Sequence, residues 1–197
     1  MLRQILFFFI CGFFISSLQS QNNYFFPDAN NLDTSISSPE NFLNYSIGDY
    51  HTRYDRVVAY FNYLAQVSPK ASLQTIGYTY EKRPQIILTI TDPNNFDQLE
   101  TIRENHLSIA NPQKPLPDLS TQPVVVLLGY NVHGNEPSST EAALLMAYYL
   151  VASKIDLKNA VIHIDPAYNP DGRDRHTHWV NTARSQILVS DPADREH

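Results

Sequence analysis

The longest unbroken pattern of apolar and polar positions lies in residues 124–152, VVVLLGYNVHGNEPSSTEAALLMAYYLVA. Its five opening apolar residues, 124–128, show no polar alternation, the pattern of a strand buried on both faces inside an α/β sheet. Gly129 closes the run and a polar elbow follows. From Pro137 onward Ala142, Leu145, Met146, Tyr149 and Leu150 recur at three-to-four spacing, which predicts a helix with that face inward. Ser138 and Glu141 have capping-box spacing, and Pro137 suits a first helical position. Strand, elbow and helix thus follow one another, and open α/β sheets bind ligands in the crevice beyond the carboxyl ends of their strands.

The same patterning sets the neighbouring elements. Tyr50, Tyr54, Val57, Phe61 and Leu64 predict a helix over 49–67 with its tyrosines in the core, stopped by Ser68-Pro69. The β-rich runs 73–78 and 85–91 flank a polar turn and predict a hairpin, with Arg83 a solvated turn charge. Asp92-Pro93 starts a helix carrying Phe96, Leu99, Ile102 and Ile109, in which His106 reads as structural or solvated. Pro112, Pro115, Pro117 and Pro123 make an extended connection into the central strand. Residues 160–165 form a second apolar strand, so helix 137–152 lies inside a βαβ unit. His163 on that strand reads as hydrogen-bonded against a helix. Residues 166–185 read as a long, substrate-facing loop containing Asn169, Asp171, Arg173, Asp174, Arg175, His176, His178, Trp179, Asn181 and Arg184.

Chemistry enters at the elbow, His133-Gly134-Asn135-Glu136. A neutral imidazole and a carboxylate three residues apart suit one zinc ion, whose hydrolytic sites use three protein ligands and leave a position for water. Gly134 leaves the turn unobstructed. The blander alternative is an ordinary acidic residue at the positive end of a helix dipole beside a solvated histidine. His-Glu-x-x-His is absent, as are internal repeats and a phosphate-cradling glycine loop.

Composition narrows the setting. Arg3, an apolar core over 5–15 and small residues ending at Ser20 read as a signal peptide over 1–20, too short in its apolar core to span a bilayer. The lone cysteine, Cys11, lies inside it, so the exported chain has no disulfide and is held by its core, as suits a secreted or periplasmic protein. A net charge of −6 argues against nucleic-acid binding, and 43% hydrophobic residues argue against disorder. Residues 21–48 read as an extended lead-in, and 49–197 as the N-terminal part of one globular domain.

Three segments in order carry a resemblance: Ile76-Gly77-Tyr78-Thr79-Tyr80-Glu81-Lys82-Arg83-Pro84, the elbow, and Asn169-Pro170-Asp171-Gly172. Over about residues 50–185 they resemble the zinc carboxypeptidase family, with Thr79 standing for a serine and Lys82 for a glycine of the first motif. The resemblance implies an α/β fold with a mixed, mainly parallel sheet flanked by helices, incomplete in this chain. It implies Zn2+ as cofactor, His133 and Glu136 as two of its ligands, and peptides as substrates hydrolysed at their C-termini. The family's third ligand, its proton-transferring glutamate and its Asn-Arg clamp lie downstream of the matching segment, so no catalytic residue is assigned in this chain, and the chain as it stands is expected to bind zinc weakly. A substrate carboxylate suits the planar fork of an arginine. Arg184 and Arg173 are the candidates, with Arg175 competing. A related zinc amidohydrolase that removes acyl groups from amino acids, and a secreted peptide-binding module without catalysis, are the alternatives.

Overall fold

The computed structural model describes residues 25, 26 and 31–183. The expected signal peptide over 1–20, Cys11 and Arg184 lie outside the described residues. Helix α1 (Pro39–Leu43) is capped by the Ser38 side chain, which accepts the Asn41 N–H, so the expected lead-in is partly helical. Leu43 and Ile36 enter the core from this segment.

Helix α2 (Tyr54–Val67) buries Tyr54, Val57, Tyr60, Phe61 and Leu64. It begins five residues later than the periodicity suggests, and Tyr50 is exposed. The reason is that the preceding backbone is occupied elsewhere. Glu141 accepts the Thr52 N–H at 2.8 Å and Arg173 donates to the Thr52 carbonyl at 3.0 Å. Asp174 then caps the helix from across the fold by accepting the Tyr54 N–H at 2.8 Å.

The hairpin forms as expected from β1 (Ala71–Tyr78) and β2 (Pro84–Thr91), antiparallel, with a register shift between Thr75 and Gly77. Its turn places Lys82 at φ 65°, a left-handed conformation in which glycine is at ease, at the position where the resembling motif has one. A 3-10 turn (Pro93–Gln98), capped by Asp92, leads into α3 (Leu99–Ile109), so the single helix expected there is two pieces. His106 on α3 bonds the Pro123 carbonyl at 2.8 Å, a structural role.

Strand β3 (Val124–Gly129), helix α4 (Pro137–Ala152) and strand β4 (Ala160–Asp165) make the expected βαβ unit, with β3 and β4 parallel. The mixed sheet has strand order β1-β2-β4-β3, and β2 pairs antiparallel with β4. Ile86, Leu88 and Ile90 alternate inward from β2 and meet α2 and α4 in one core.

Four expectations fail here for identifiable reasons. Strand β3 stands at the sheet edge and is not buried on both faces: Val124 to Leu127 are 36–60% exposed. Helix α4 turns Ala143, Leu144, Ala147 and Val151 inward, one step round from the expected face, because it is apolar on nearly every side and periodicity selects no stripe. Its capping box does not form, since Glu136 takes the N-cap position and the Glu141 carboxylate is buried against Thr52 and Arg173. His163 bonds Thr89 of the neighbouring strand at 3.0 Å, not a helix.

Residues 170–182 are not a loop. They form α5 (Pro170–Thr182), started by the Asn169 side chain accepting the Gly172 N–H at 2.9 Å, with Pro170 at the first position. Its buried positions are Pro170, Arg173 and Thr177, so no apolar stripe announces it.

Candidate functional site

Strands β3 and β4 end together, Gly129 opposite Asp165, and this register lays their two following loops side by side. The Tyr130 N–H donates to the Asp165 carbonyl at 3.0 Å, the Tyr168 N–H to the Tyr130 carbonyl at 2.9 Å, and the Asn169 N–H to the Asn131 carbonyl at 3.2 Å. The elbow is thereby stitched to the start of α5. At the tightest point a Cβ on Gly134 would lie 2.0–2.5 Å from Gly172 backbone atoms, so no side chain fits there.

His133 and Glu136 close one turn, in which the Glu136 N–H donates to the His133 carbonyl at 3.0 Å. Both side chains are exposed. The donor set, one imidazole and one carboxylate, fits zinc, and the Gly134 passage gives the turn its shape. Among the described residues no group of three or more His, Cys, Asp or Glu is placed to hold a metal ion, so the elbow offers two donors of such a set.

The elbow and α5 line a cleft of about 470 Å³ formed by Gly134, Asn135, Gly172, Arg175, His176 and Trp179. The His176 ring lies 5.4 Å from that of His51 and 6.2 Å from that of Trp179. Burial, and then the nearby Arg173 charge, push the His176 pKa below its ordinary value. A second cleft of about 450 Å³ adjoins it, lined by Arg53, Glu81, Arg83, Asp174, Arg175 and His178. Arg175 lines both, and its side chain is 81% exposed.

Arg173 sits elsewhere. It is fully buried, with Nε donating to the Thr52 carbonyl at 3.0 Å, Nη1 to the Pro137 carbonyl at 2.9 Å and Nη2 to Glu141 at 2.5 Å. Each of its nitrogens is engaged within the protein, so it presents no fork to the cleft. Arg83 is not a solvated turn charge either. It donates to Asp171 and Asp174 at 2.7 Å each and pairs with Glu81, which fastens the hairpin turn onto α5. The resulting attraction, led by Glu81, raises the Arg83 pKa.

Sequence reasoning missed Asn131. It is 2% exposed with φ 52°, and its Nδ2 donates to the carbonyls of both His133, at 2.9 Å, and Glu136, at 3.1 Å. The available signal was an asparagine between strand and elbow, since asparagine tolerates the left-handed region and bonds nearby backbone.

A mixed sheet flanked by helices, with an imidazole and a carboxylate on one elbow past a parallel strand, defines a class: an α/β protein with two metal-competent side chains at a strand-to-helix turn. The model of the zinc carboxypeptidase family matches residues 57–188, and the chain belongs to that family. Among solved structures, carboxypeptidase A from Helicoverpa armigera is similar at 22% identity and TM-score 0.50, over 85% of this chain and 34% of that one. Bovine thrombin-activatable fibrinolysis inhibitor, solved with a tick carboxypeptidase inhibitor, is similar at 19% identity and TM-score 0.44, over 66% of this chain and 34% of that one. The likeness to the Helicoverpa armigera structure, at 22% identity, concerns the fold alone. The chain spans about a third of the length of these two structures. No curated protein matches it.

Proposed function

We propose that this chain carries the zinc-ligating elbow and one wall of the substrate cleft of an exported metallocarboxypeptidase. The observation that supports this best is the His133–Glu136 turn, exposed at the end of β3 and braced against α5, inside the segment that the family model matches. His133 gives an imidazole nitrogen and Glu136 a carboxylate oxygen to zinc. Zinc, when bound, polarises a peptide carbonyl and lowers the pKa of a coordinated water. The chain's own residues bind and orient the peptide. Arg175 is the described arginine that best suits a C-terminal carboxylate, because it lines the cleft beside Gly134 and Asn135, is 81% exposed, and has only the 3.6 Å approach of Glu81 as an ion-pair partner among the described residues. Trp179 supplies an apolar wall to the same cleft. Arg184 remains a candidate from outside the described residues. The described residues supply neither a third ligand nor a proton-transferring carboxylate, which the family resemblance sets downstream of the matching segment. A signal peptide over 1–20 would place the enzyme outside the cytoplasm, and no helix among the described residues is long and apolar enough to cross a membrane.

The test uses the full-length protein, His133→Ala and Glu136→Gln. Zinc content is measured after dialysis, and release of C-terminal residues from blocked dipeptides is compared with deacylation of N-acyl amino acids. The expected result is about one zinc per chain and C-terminal release, both lost in the two variants, since a site left with two protein ligands no longer sets hydrolytic geometry. Undiminished zinc in both variants overturns the ligand assignment, and deacylation without C-terminal release overturns the substrate class.

A further inference from the structure

Asn131 lies outside the ligand pair and carries two local costs. Its backbone is in the left-handed region at φ 52°, and its buried Oδ1 has no hydrogen-bond partner among the described residues. Native structures rarely leave a buried acceptor unpaired, and a residue held in such a state marks a site over-determined by its surroundings. What the residue gains is specific. Its Nδ2 stands between the carbonyls of His133 and Glu136, at 2.9 and 3.1 Å, and donates to both. Only the amino end of a carboxamide has two N–H groups to satisfy two carbonyls, so the amide orientation is fixed and the oxygen is left on the side without a donor.

The backbone of Asn131 is held just as firmly. Its N–H donates to Ser139 Oγ on α4 at 2.7 Å, and its carbonyl accepts the Asn169 N–H at 3.2 Å. One side chain therefore ties the two ends of the ligand turn together, while the main chain of the same residue ties that turn to α4 and to the start of α5. Groups that hold metal ligands in orientation typically matter 10- to 100-fold in affinity. Such partners more often bond the imidazole directly. Here the bracing runs through the backbone carbonyls of the two ligand residues.

We propose that Asn131 is a positioning residue for the metal pair, its carboxamide fixing the separation of the His133 and Glu136 backbones before any metal arrives. The proposal rests on the reading of His133 and Glu136 as ligands. Asparagine suits the position twice over, because it adopts the left-handed conformation and supplies two donors at short reach. Aspartate has the same shape and would set an oxygen against both carbonyls. Glycine keeps the backbone conformation and removes both bonds.

The experiment compares the full-length protein with Asn131→Gly, Asn131→Asp, Ser139→Ala and His133→Ala. Zn2+ affinity is measured by competition with a chromogenic chelator, the visible spectrum is recorded with Co2+ in place of zinc, and the thermal midpoint is measured without metal. Asn131→Gly and Asn131→Asp are expected to weaken Zn2+ binding about 10- to 100-fold and to alter the Co2+ spectrum, which reports ligand geometry and which a loss of stability alone does not move. Ser139→Ala removes the acceptor of the Asn131 N–H, keeps both ligands and both donors, and is expected to act in the same direction by a smaller factor; it carries the test if the Asn131 variants do not fold. Wild-type affinity and an unchanged Co2+ spectrum in the Asn131 variants, or in Ser139→Ala where those do not fold, overturn the proposal when His133→Ala has lost zinc. Wild-type affinity in His133→Ala overturns the ligand reading itself, and the positioning role with it.

Discussion

Asp165 ends β4 with 3% exposure, its carboxylate accepting the Ala167 N–H at 3.0 Å. Burial pushes its pKa from 3.8 up to about 6, and that hydrogen bond opposes the shift without cancelling it. An unfolded aspartate ionises near pH 3.9, so between about pH 4 and 6 the folded protein keeps a proton that the unfolded chain has lost. The stability connected with Asp165 is therefore greatest below pH 4 and falls as pH rises through 6, by roughly 2–3 kcal/mol at about 1.4 kcal/mol per unit. Asp171 acts in the opposite sense. Burial raises its pKa, but hydrogen bonds from Thr79 and Arg83 outweigh that and lower it, so its contribution is lost as pH falls. Comparing wild type with Asp165→Asn isolates the first effect. In metal-free protein, urea unfolding should show the variant gaining about 2 kcal/mol more over wild type at pH 7.5 than at pH 4.5; a difference that does not vary with pH counts against a buried, proton-retaining Asp165. At this scale the sequence made the position of His133 and Glu136 legible, since β3 ends before them and α4 begins after them. It hid Asn131, which acts through carbonyls that every residue has, and it could not tell an arginine facing a cleft from one facing Glu141.

Arg173 and Glu141 show how elements, not residues alone, hold the elbow in place. The pair joins α5 to α4, and both partners also bond Thr52 in the segment leading into α2. Burial lowers the Arg173 pKa, while the Glu141 charge opposes the shift. Removing one partner of a buried pair leaves the other charge uncompensated, at a cost of about 3–5 kcal/mol, whereas replacing both by apolar groups of similar volume is often near neutral. Arg173→Met is thus expected to destabilise by about 3–5 kcal/mol in urea unfolding, and Arg173→Met with Glu141→Met to recover most of it. Equal destabilisation in the single and double variants would mean that the surrounding Thr52 and Pro137 bonds, not the ion pair, carry the cost. The hairpin, the βαβ unit and the start of α4 were readable because apolar runs and breakers mark them. Helix α5 was not, for its interior contacts are an arginine and a threonine. The start signal was present in Asn169-Pro170 but also describes a turn, and only tertiary bonds to Asp171, Arg173 and Asp174 decide between the two.

For the whole molecule the open question is what meets β3. The apolar pattern of 124–128 is that of a strand covered on both faces, yet in the described residues Val124, Val125, Val126 and Leu127 are exposed at the sheet edge, where unpaired backbone groups and apolar side chains together invite association. The chain spans about a third of the carboxypeptidase A from Helicoverpa armigera that it resembles in fold. We propose that further sheet covers β3 in the working enzyme, and that a ligand completing the His133–Glu136 pair comes with it. Expressed alone, the 197-residue chain is then expected to self-associate in light scattering and to bind Zn2+ weakly, because two donors do not complete a hydrolytic site. Leu127, 58% exposed, separates the two situations. Leu127→Lys should reduce association of the 197-residue chain with little effect on its unfolding, as charges on an open edge do. Where further sheet covers β3, the same substitution buries an ammonium group and should lower stability by several kcal/mol, together with Zn2+ affinity. A lysine tolerated equally in the 197-residue chain and in the working enzyme would mean that β3 remains an edge, and that the third ligand reaches the elbow by some route other than a strand beside it.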